Sequence, residues 1–231
     1  MSALPPPAEK AVAVRTMFDR ISPTYDRVNR LMTFNADRRW RRALVRRLAV
    51  GPGDTVLDLA SGTGDFTQLC RSLGASACAL DFSRGMLHAA VQRLGSANSV
   101  VQADALHLPL ADGSFTVAVS GFALRNFVAI APVLAEVARI LQPGGRLGLL
   151  EVDQPHNRIV AAGHGLYFNR VVPVVGGLLA DHDAYRYLPQ SAAYLPQQDE
   201  LVRMLRDAGF HRIQKRSPMF GAIQSVTAVR R

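Results

Sequence analysis

The residues with most chemical content lie in one short run, Asp58-Leu59-Ala60-Ser61-Gly62-Thr63-Gly64-Asp65. Two glycines one residue apart let backbone approach a ligand without a side-chain clash. A helix starting there presents unpaired N–H groups and a partial positive charge, a seat for an anionic group of a nucleotide-like ligand. Two further acids follow at matching places. Asp81 stands 17 residues after Gly64, at the end of a second apolar run, where a carboxylate can accept both hydroxyls of a ribose. Asp104-Ala105 ends a third run. There the carboxylate can accept the exocyclic amine of adenine, and the Ala105 N–H can meet a ring nitrogen. A hydrogen bond to a charged acceptor is worth about 1.5–3 kcal/mol. Any one of these acids is more often a strand-end cap or a turn residue. Three at the ends of successive strands point to the edge where open α/β sheets bind ligands.

Two ligand classes use such a turn. A dinucleotide fold asks for G-x-G-x-x-G, and here Thr67 occupies the third glycine position. The other class binds S-adenosylmethionine, which carries an ammonium and a carboxylate in place of a pyrophosphate. An acid-flanked turn suits the ammonium and would repel two phosphates. For the turn taken alone, a purely structural strand–helix connection stays open.

The elements that must position these residues follow from periodicity and breakers. Thr55–Ala60 is a short β-branched apolar run after the turn signal Gly51-Pro52-Gly53-Asp54. Further strands are predicted near 76–81, 99–103, 115–121, 145–152, 211–217 and 222–229. Helices are predicted near 64–73, 84–94, 128–142 and 198–208, with Pro143-Gly144-Gly145 stopping the third. This alternation implies βαβ units: an α/β fold with a seven-stranded, mostly parallel sheet and helices on both faces. Residues 1–50 read as an N-terminal helical extension whose first eight residues are disordered, and 51–231 as the ligand-binding domain. Residues 155–190, rich in Gly, Pro and aromatics, read as an inserted helical lid.

Composition narrows the class. The chain has 231 residues, 48% hydrophobic and 19% charged, which excludes wholesale disorder and a disulfide scaffold. Cys70 and Cys78, the two cysteines, show neither CxxC nor zinc-like spacing and read as free thiols in a reducing compartment. No secretory signal is visible, and no apolar run approaches the ~18 residues of a membrane span. The expected location is cytoplasmic, with a place at the inner face of the plasma membrane left open. No histidines or cysteines fall at metal-ligand spacing, so no metal is expected. The net charge is +9, and six arginines fall between Arg38 and Arg47. Such a balance invites an anionic partner. A nucleic acid is not expected, because the chain has neither an appended RNA module nor an aromatic-interleaved basic strand.

Taken together these segments resemble class I methyltransferases, and more narrowly the ubiquinone/menaquinone biosynthesis C-methyltransferase family, over residues 12–210. Phe18-Asp19-Arg20-Ile21-Ser22-Pro23-Thr24-Tyr25-Asp26 and Asn29 are similar to that family's N-terminal stretch. Val56–Asp65 is similar to its cofactor loop, and Phe122-Ala123-Leu124-Arg125-Asn126 to its segment after strand four. Leu141-Gln142-Pro143-Gly144-Gly145-Arg146 is a general methyltransferase feature, and Asp183-Ala184-Tyr185-Arg186-Tyr187-Leu188 resembles the family's late signature. The chain departs from the family at Val152-Asp153-Gln154-Pro155, where Ser-Lys-Pro is common after the strand-five acid. It also departs at Val28, where Met is common, and in a tail that lacks the usual His.

The resemblance implies a Rossmann-like methyltransferase fold and S-adenosylmethionine as cofactor, held by Asp58, Gly62, Thr63, Gly64, Asp81, Asp104, Ala105 and Gly121. It implies methyl transfer to a ring carbon of a lipid-like polyprenyl quinol. Peripheral membrane contact and a homodimer are left open. It places Arg125 and Asn126 beside the reacting methyl as the catalytic pair. Arginine stays protonated, so Arg125 is expected to orient a water or to stabilise a phenolate. Tyr25, Tyr185, Arg186 and Tyr187 are expected at the acceptor. Asp153 is a weaker candidate for a base. A methyltransferase of another small-molecule acceptor is the alternative, and an inactive cofactor-binding subunit a further one.

Overall fold

The computed structural model describes residues 7–95, 99–153, 187 and 190–231. The predicted lid, including Tyr185 and Arg186, lies outside these residues apart from Tyr187 and Gln190. Three helices open the chain: α1 (Pro7–Ile21), α2 (Tyr25–Thr33) and α3 (Ala36–Arg47). Then strands and helices alternate: β1 (Thr55–Leu59), α4 (Asp65–Ser72), β2 (Ser76–Asp81), α5 (Arg84–Leu94), β3 (Val100–Gln102), β4 (Phe115–Gly121), α6 (Ile130–Ile140) and β5 (Leu141–Val152). The chain closes with α7 (Gln198–Asp207), β6 (Phe210–Arg216) and β7 (Ile223–Arg230).

One seven-stranded sheet results, in the order β3-β2-β1-β4-β5-β7-β6. The first five strands are mutually parallel; β7 runs antiparallel to β5 and to β6. Strand order reverses between β1 and β4, which is where an open α/β sheet leaves a crevice at its carboxyl edge.

Alternation along the strands assigns the two faces. Leu57, Leu59, Ala118, Leu147 and Leu149 pack with α6 and α7 in one buried cluster. Val56, Val117, Val119 and Leu150 pack with α3 and α4 in another. The third helix therefore belongs to the core. Leu44 and Leu48 press so closely on β5 that a Cβ at Gly148 would lie 2.6 Å from Leu48 Cδ1.

Pro143-Gly144-Gly145 does not end a helix, as the sequence suggests. Helix α6 stops at Ile140, and Leu141, fully buried, is already extended and paired with Phe115. Burial of Leu141 draws the chain into the sheet first. The three residues then make a register shift before Arg146 pairs with Val117. Among the described residues no helix is long and apolar enough to cross a membrane.

Candidate active site

The carboxyl ends of β1, β2 and β4, with the loop after β3, surround a cavity of roughly 870 Å³, its mouth included. Its floor is made of small residues, among them Ala60, Gly62, Ala103, Ala105 and Gly121.

Two of the three strand-end acids face the cavity. Asp81 lines it with a carboxylate fixed from both sides: Oδ2 accepts the Gly62 N–H at 2.8 Å and Oδ1 accepts the Ser83 N–H at 2.8 Å. Burial pushes its pKa up, against those hydrogen bonds. Asp104 and Ala105 line the cavity further along, and Asp104 Oδ1 is oriented by the Leu106 N–H at 2.9 Å.

Asp58 behaves differently. It is 1% exposed and does not line the cavity. Its Oδ2 accepts both the backbone N–H of Thr67, at 2.9 Å, and the Thr67 hydroxyl, at 2.7 Å. The first turn of α4 is thus satisfied by the protein's own acid, so Asp58 secures the glycine turn from behind. Burial pushes its carboxyl up to about 7.

The turn owes its shape to positive φ. Gly64, at φ +83°, caps α4 in the left-handed region. Ala60 and Phe122 also have positive φ, 53° and 61°, at the ends of β1 and β4, and both line the cavity. Non-glycine residues in that region are uncommon and cluster at functional sites. Gly121 is required by contact: a Cβ there would lie 2.8 Å from Phe66 Cε2.

Helices α1 and α2 close the cavity from the other side. Asp19 Oδ1 accepts the Ser83 hydroxyl at 2.6 Å and the Gly85 N–H at 2.9 Å, fastening α1 over the start of α5. Asp26 Oδ1 accepts the Thr63 hydroxyl at 2.8 Å, and Arg93 bridges Asp26 to Asp65. Thr63 and Asp65 of the glycine turn are therefore joined to α2. Lys10 donates to the Phe127 carbonyl at 2.7 Å and lies 3.7 Å from the centre of the Tyr194 ring. Val14, Phe18 and Tyr25 from these helices line the cavity.

Arg125 and Asn126 sit in a single 3-10 turn, Leu124–Asn126, directly after β4. Asn126 lines the cavity, while Arg125 is buried and ion-paired with Glu151 at the end of β5. Arg125 Nε, Glu151 Oε2, Asn126 Oδ1 and the Tyr187 hydroxyl are buried without a hydrogen-bond partner among the described residues. Burial pushes the Tyr187 hydroxyl up to about 12, and the nearby Arg125 cation opposes it. Asp153 is occupied by Lys215 at 2.7 Å.

Glu151, Asp19 and Asp26 are site-building residues that sequence reasoning did not single out. Glu151 had a signal: it is an acid inside the apolar run Leu147–Val152. Asp19 and Asp26 stood within the N-terminal stretch, but spacing gave no hint of their partners.

The geometry offers a nucleoside seat with two oriented acids among mainly apolar residues. That suits a sulfonium nucleoside better than a phosphorylated one. The model of the ubiE/COQ5 methyltransferase family matches residues 7–230. A demethylmenaquinone methyltransferase of Roseiflexus castenholzii is 39% identical over 100% of this chain and 98% of its own length. The ubiquinone/menaquinone biosynthesis C-methyltransferase UbiE of Syntrophotalea carbinolica is 40% identical over 90% of each chain. Among solved structures, a SAM-dependent methyltransferase from Thermotoga maritima shares the fold with a TM-score of 0.66, at 19% identity over 94% of this chain and 99% of that one. The chain is an S-adenosylmethionine-dependent methyltransferase and belongs to the ubiE/COQ5 methyltransferase family.

Proposed function

We propose that this enzyme methylates a ring carbon of a polyprenyl quinol, demethylmenaquinol or a 2-polyprenyl-benzoquinol, in quinone biosynthesis. The observation that carries the reading is the polar cluster at the end of β4 and β5. A buried Arg125–Glu151 pair stands beside cavity-lining Asn126 and the buried Tyr187 hydroxyl, and four of their polar atoms lack partners among the described residues. Buried polar atoms are rarely left so. A hydroxylated aromatic acceptor would supply the missing partners. The relatives named for demethylmenaquinone and for ubiquinone/menaquinone synthesis support the same acceptor class.

Bound here, S-adenosylmethionine supplies an activated methyl group. Asp81 holds the ribose hydroxyls, and Asp104 with the Ala105 N–H holds the adenine. Gly62, Gly64 and Gly121 allow close backbone approach, while Asp58 and Thr63 fix the turn. A ring carbon becomes nucleophilic when a neighbouring phenol gives its proton to water; it then takes the methyl as the S–CH3 bond breaks, leaving S-adenosylhomocysteine, and the displaced ring proton also goes to water. Arg125 stabilises the resulting phenolate, and Asn126 aligns it. Tyr25 and Tyr187 frame the acceptor. The exposed Arg38, Arg39, Arg42 and Arg46 of α3 form a basic face that would bring the enzyme to an anionic membrane, where such an acceptor resides.

The test is label transfer. Wild type is given methyl-labelled donor with reduced naphthoquinol or benzoquinol analogues, and the labelled position is read by NMR. The reading predicts a new ring C-methyl. Label on neither analogue, with donor bound normally, would favour another small-molecule acceptor.

A further inference from the structure

Two adjacent apolar side chains stand in solvent at the carboxyl edge of the sheet. Met219 is 52% exposed and Phe220 83%, the most exposed of the large apolar side chains among the described residues. They form the tip of the turn between β6 and β7. Both have positive φ, 55° and 54°, where bulky L residues are rarely found. The base of the turn holds them there. The Gly221 N–H donates to the Pro218 carbonyl at 3.2 Å and the Ala222 N–H to the Met219 carbonyl at 3.0 Å, and both Gly221 and Ala222 are buried. A lone exposed apolar residue is ordinary. Two side by side, presented outward by a braced turn in a disfavoured conformation, ask for an apolar partner.

The turn lies close to the proposed acceptor end of the site. Ile223 pairs with Val152, and the Asp153 N–H donates to the Ala222 carbonyl at 2.8 Å, so the turn sits beside the last residues of β5. Glu151, the partner of Arg125, pairs with Gln224 in the same register.

The surrounding charge is basic. Lys215 turns to Gln198 at the start of α7, so its exposed neighbour Arg216 faces the side of α3. Arg47 of α3 reaches across β7 and donates to the Gln214 carbonyl of β6 at 3.1 Å; burial and then the nearby Arg216 cation lower its pKa. Arg216 and the exposed Arg38, Arg39, Arg42 and Arg46 therefore share one side of the sheet, while Asp199 and Glu200 open α7 on the other. Asp153, the acid beside the turn, is held by Lys215 at 2.7 Å. An apolar tip rimmed by arginines fits an anionic bilayer, with the tip among acyl chains and the guanidinium groups among headgroups. In a two-fold dimer the same patch would meet itself, arginines against arginines.

We propose that the Met219–Phe220 turn is a membrane anchor that enters an anionic bilayer while Arg216 and the outer arginines of α3 rest on its headgroups. It deepens the reading of a lipid acceptor, on which its purpose rests. The anchor would set the carboxyl edge of the sheet against the surface from which a polyprenyl chain is drawn.

The full chain is co-sedimented with phosphatidylcholine vesicles, with and without phosphatidylglycerol, at low and high salt. Wild type is expected to bind the phosphatidylglycerol vesicles. Phe220→Ser is expected to bind them about tenfold more weakly at both salt concentrations, because apolar burial is not screened. In Phe220→Trp the added indole is expected to shift its emission to the blue on these vesicles and to be quenched by acyl-brominated lipid, with the single tryptophan of wild type, Trp40, as the baseline. Equal binding of wild type and Phe220→Ser, or an indole that stays unquenched, would overturn the proposal. So would a wild-type dimer that Phe220→Ser dissociates while vesicle binding is unchanged, which would give the turn to a second copy. Turnover of a short-chain, water-soluble quinol is read separately and is expected to be the same in wild type and Phe220→Ser. Normal turnover without vesicle binding by wild type would overturn the anchor and leave the acceptor reading intact; vesicle binding without quinol methylation would do the reverse.

Discussion

Arg125 and Glu151 form an ion pair in which the two residues are only 6% and 1% exposed. The pair joins the turn after β4 to the end of β5, 26 residues later in the chain. Burial raises the Glu151 pKa, and the Arg125 charge pulls it back down. Removing one partner from such a pair leaves the other buried and uncompensated, which costs about 3–5 kcal/mol. Arg125→Met alone is therefore expected to lower stability by that order and to abolish turnover. The double variant Arg125→Met/Glu151→Leu is expected to regain most of the stability but no turnover. Denaturant melts alongside methyl transfer check both halves. Recovery of turnover in the double variant would remove Arg125 from the chemistry.

Asp58 gives a pH prediction with a definite sign. Burial raises its folded-state pKa from the ordinary 3.8 to about 7, while its hydrogen bonds from Thr67 and the Arg41 charge oppose the shift. An acid whose folded pKa exceeds its unfolded value holds a proton in the fold that it releases on unfolding. Its contribution is full below the unfolded value and is lost as pH rises toward about 7. Asp58→Asn keeps an oxygen for Thr67 and cannot ionise. Its stability relative to wild type is expected to improve between pH 4 and pH 8. Thermal melts of both proteins across that range test this; parallel curves would contradict it.

Gly121 stands against Phe66. A Cβ at that position would meet the ring edge at 2.8 Å, and Phe66 is 3% exposed with no room to yield. Gly121→Ala is expected to destabilise by about 1–3 kcal/mol through overpacking and to narrow the cavity floor. Phe66→Leu in the same chain should return part of that stability. Equilibrium unfolding of the single and double variants measures the coupling.

Much of this frame was legible in the sequence because its signals are local. Predicted strand 115–121 and helix 84–94 agree with Phe115–Gly121 and Arg84–Leu94. The alternating apolar runs need no distant partner to be read. Side-chain direction was not legible. Asp58 turns to its own helix and Thr63 to Asp26, choices set by neighbours that the fold brings in. Glu151 acquires meaning only through Arg125. Arg41 is buried because α3 packs on the sheet, a contact no local pattern shows.

The basic face of α3 makes a surface prediction. Arg38, Arg39, Arg42 and Arg46 are exposed on one helix. Each arginine close to an anionic bilayer contributes about 1 kcal/mol, roughly fivefold in partitioning. Arg38→Glu/Arg42→Glu is expected to weaken binding to phosphatidylglycerol vesicles by more than about tenfold. Turnover of a short-chain, water-soluble quinol should stay unchanged. Vesicle co-sedimentation at two salt concentrations checks it, because screening should erase the wild-type advantage.

The central claim is that Asp81, fixed by Gly62 and Ser83, holds the donor's ribose at the end of β2. Calorimetric titration of S-adenosylhomocysteine into wild type and into Asp81→Ala tests it most directly. The account predicts saturable binding to wild type and a loss of about tenfold or more in the variant, from the two hydrogen bonds to a charged acceptor. Equal affinity in the two proteins, with both folded, would contradict it.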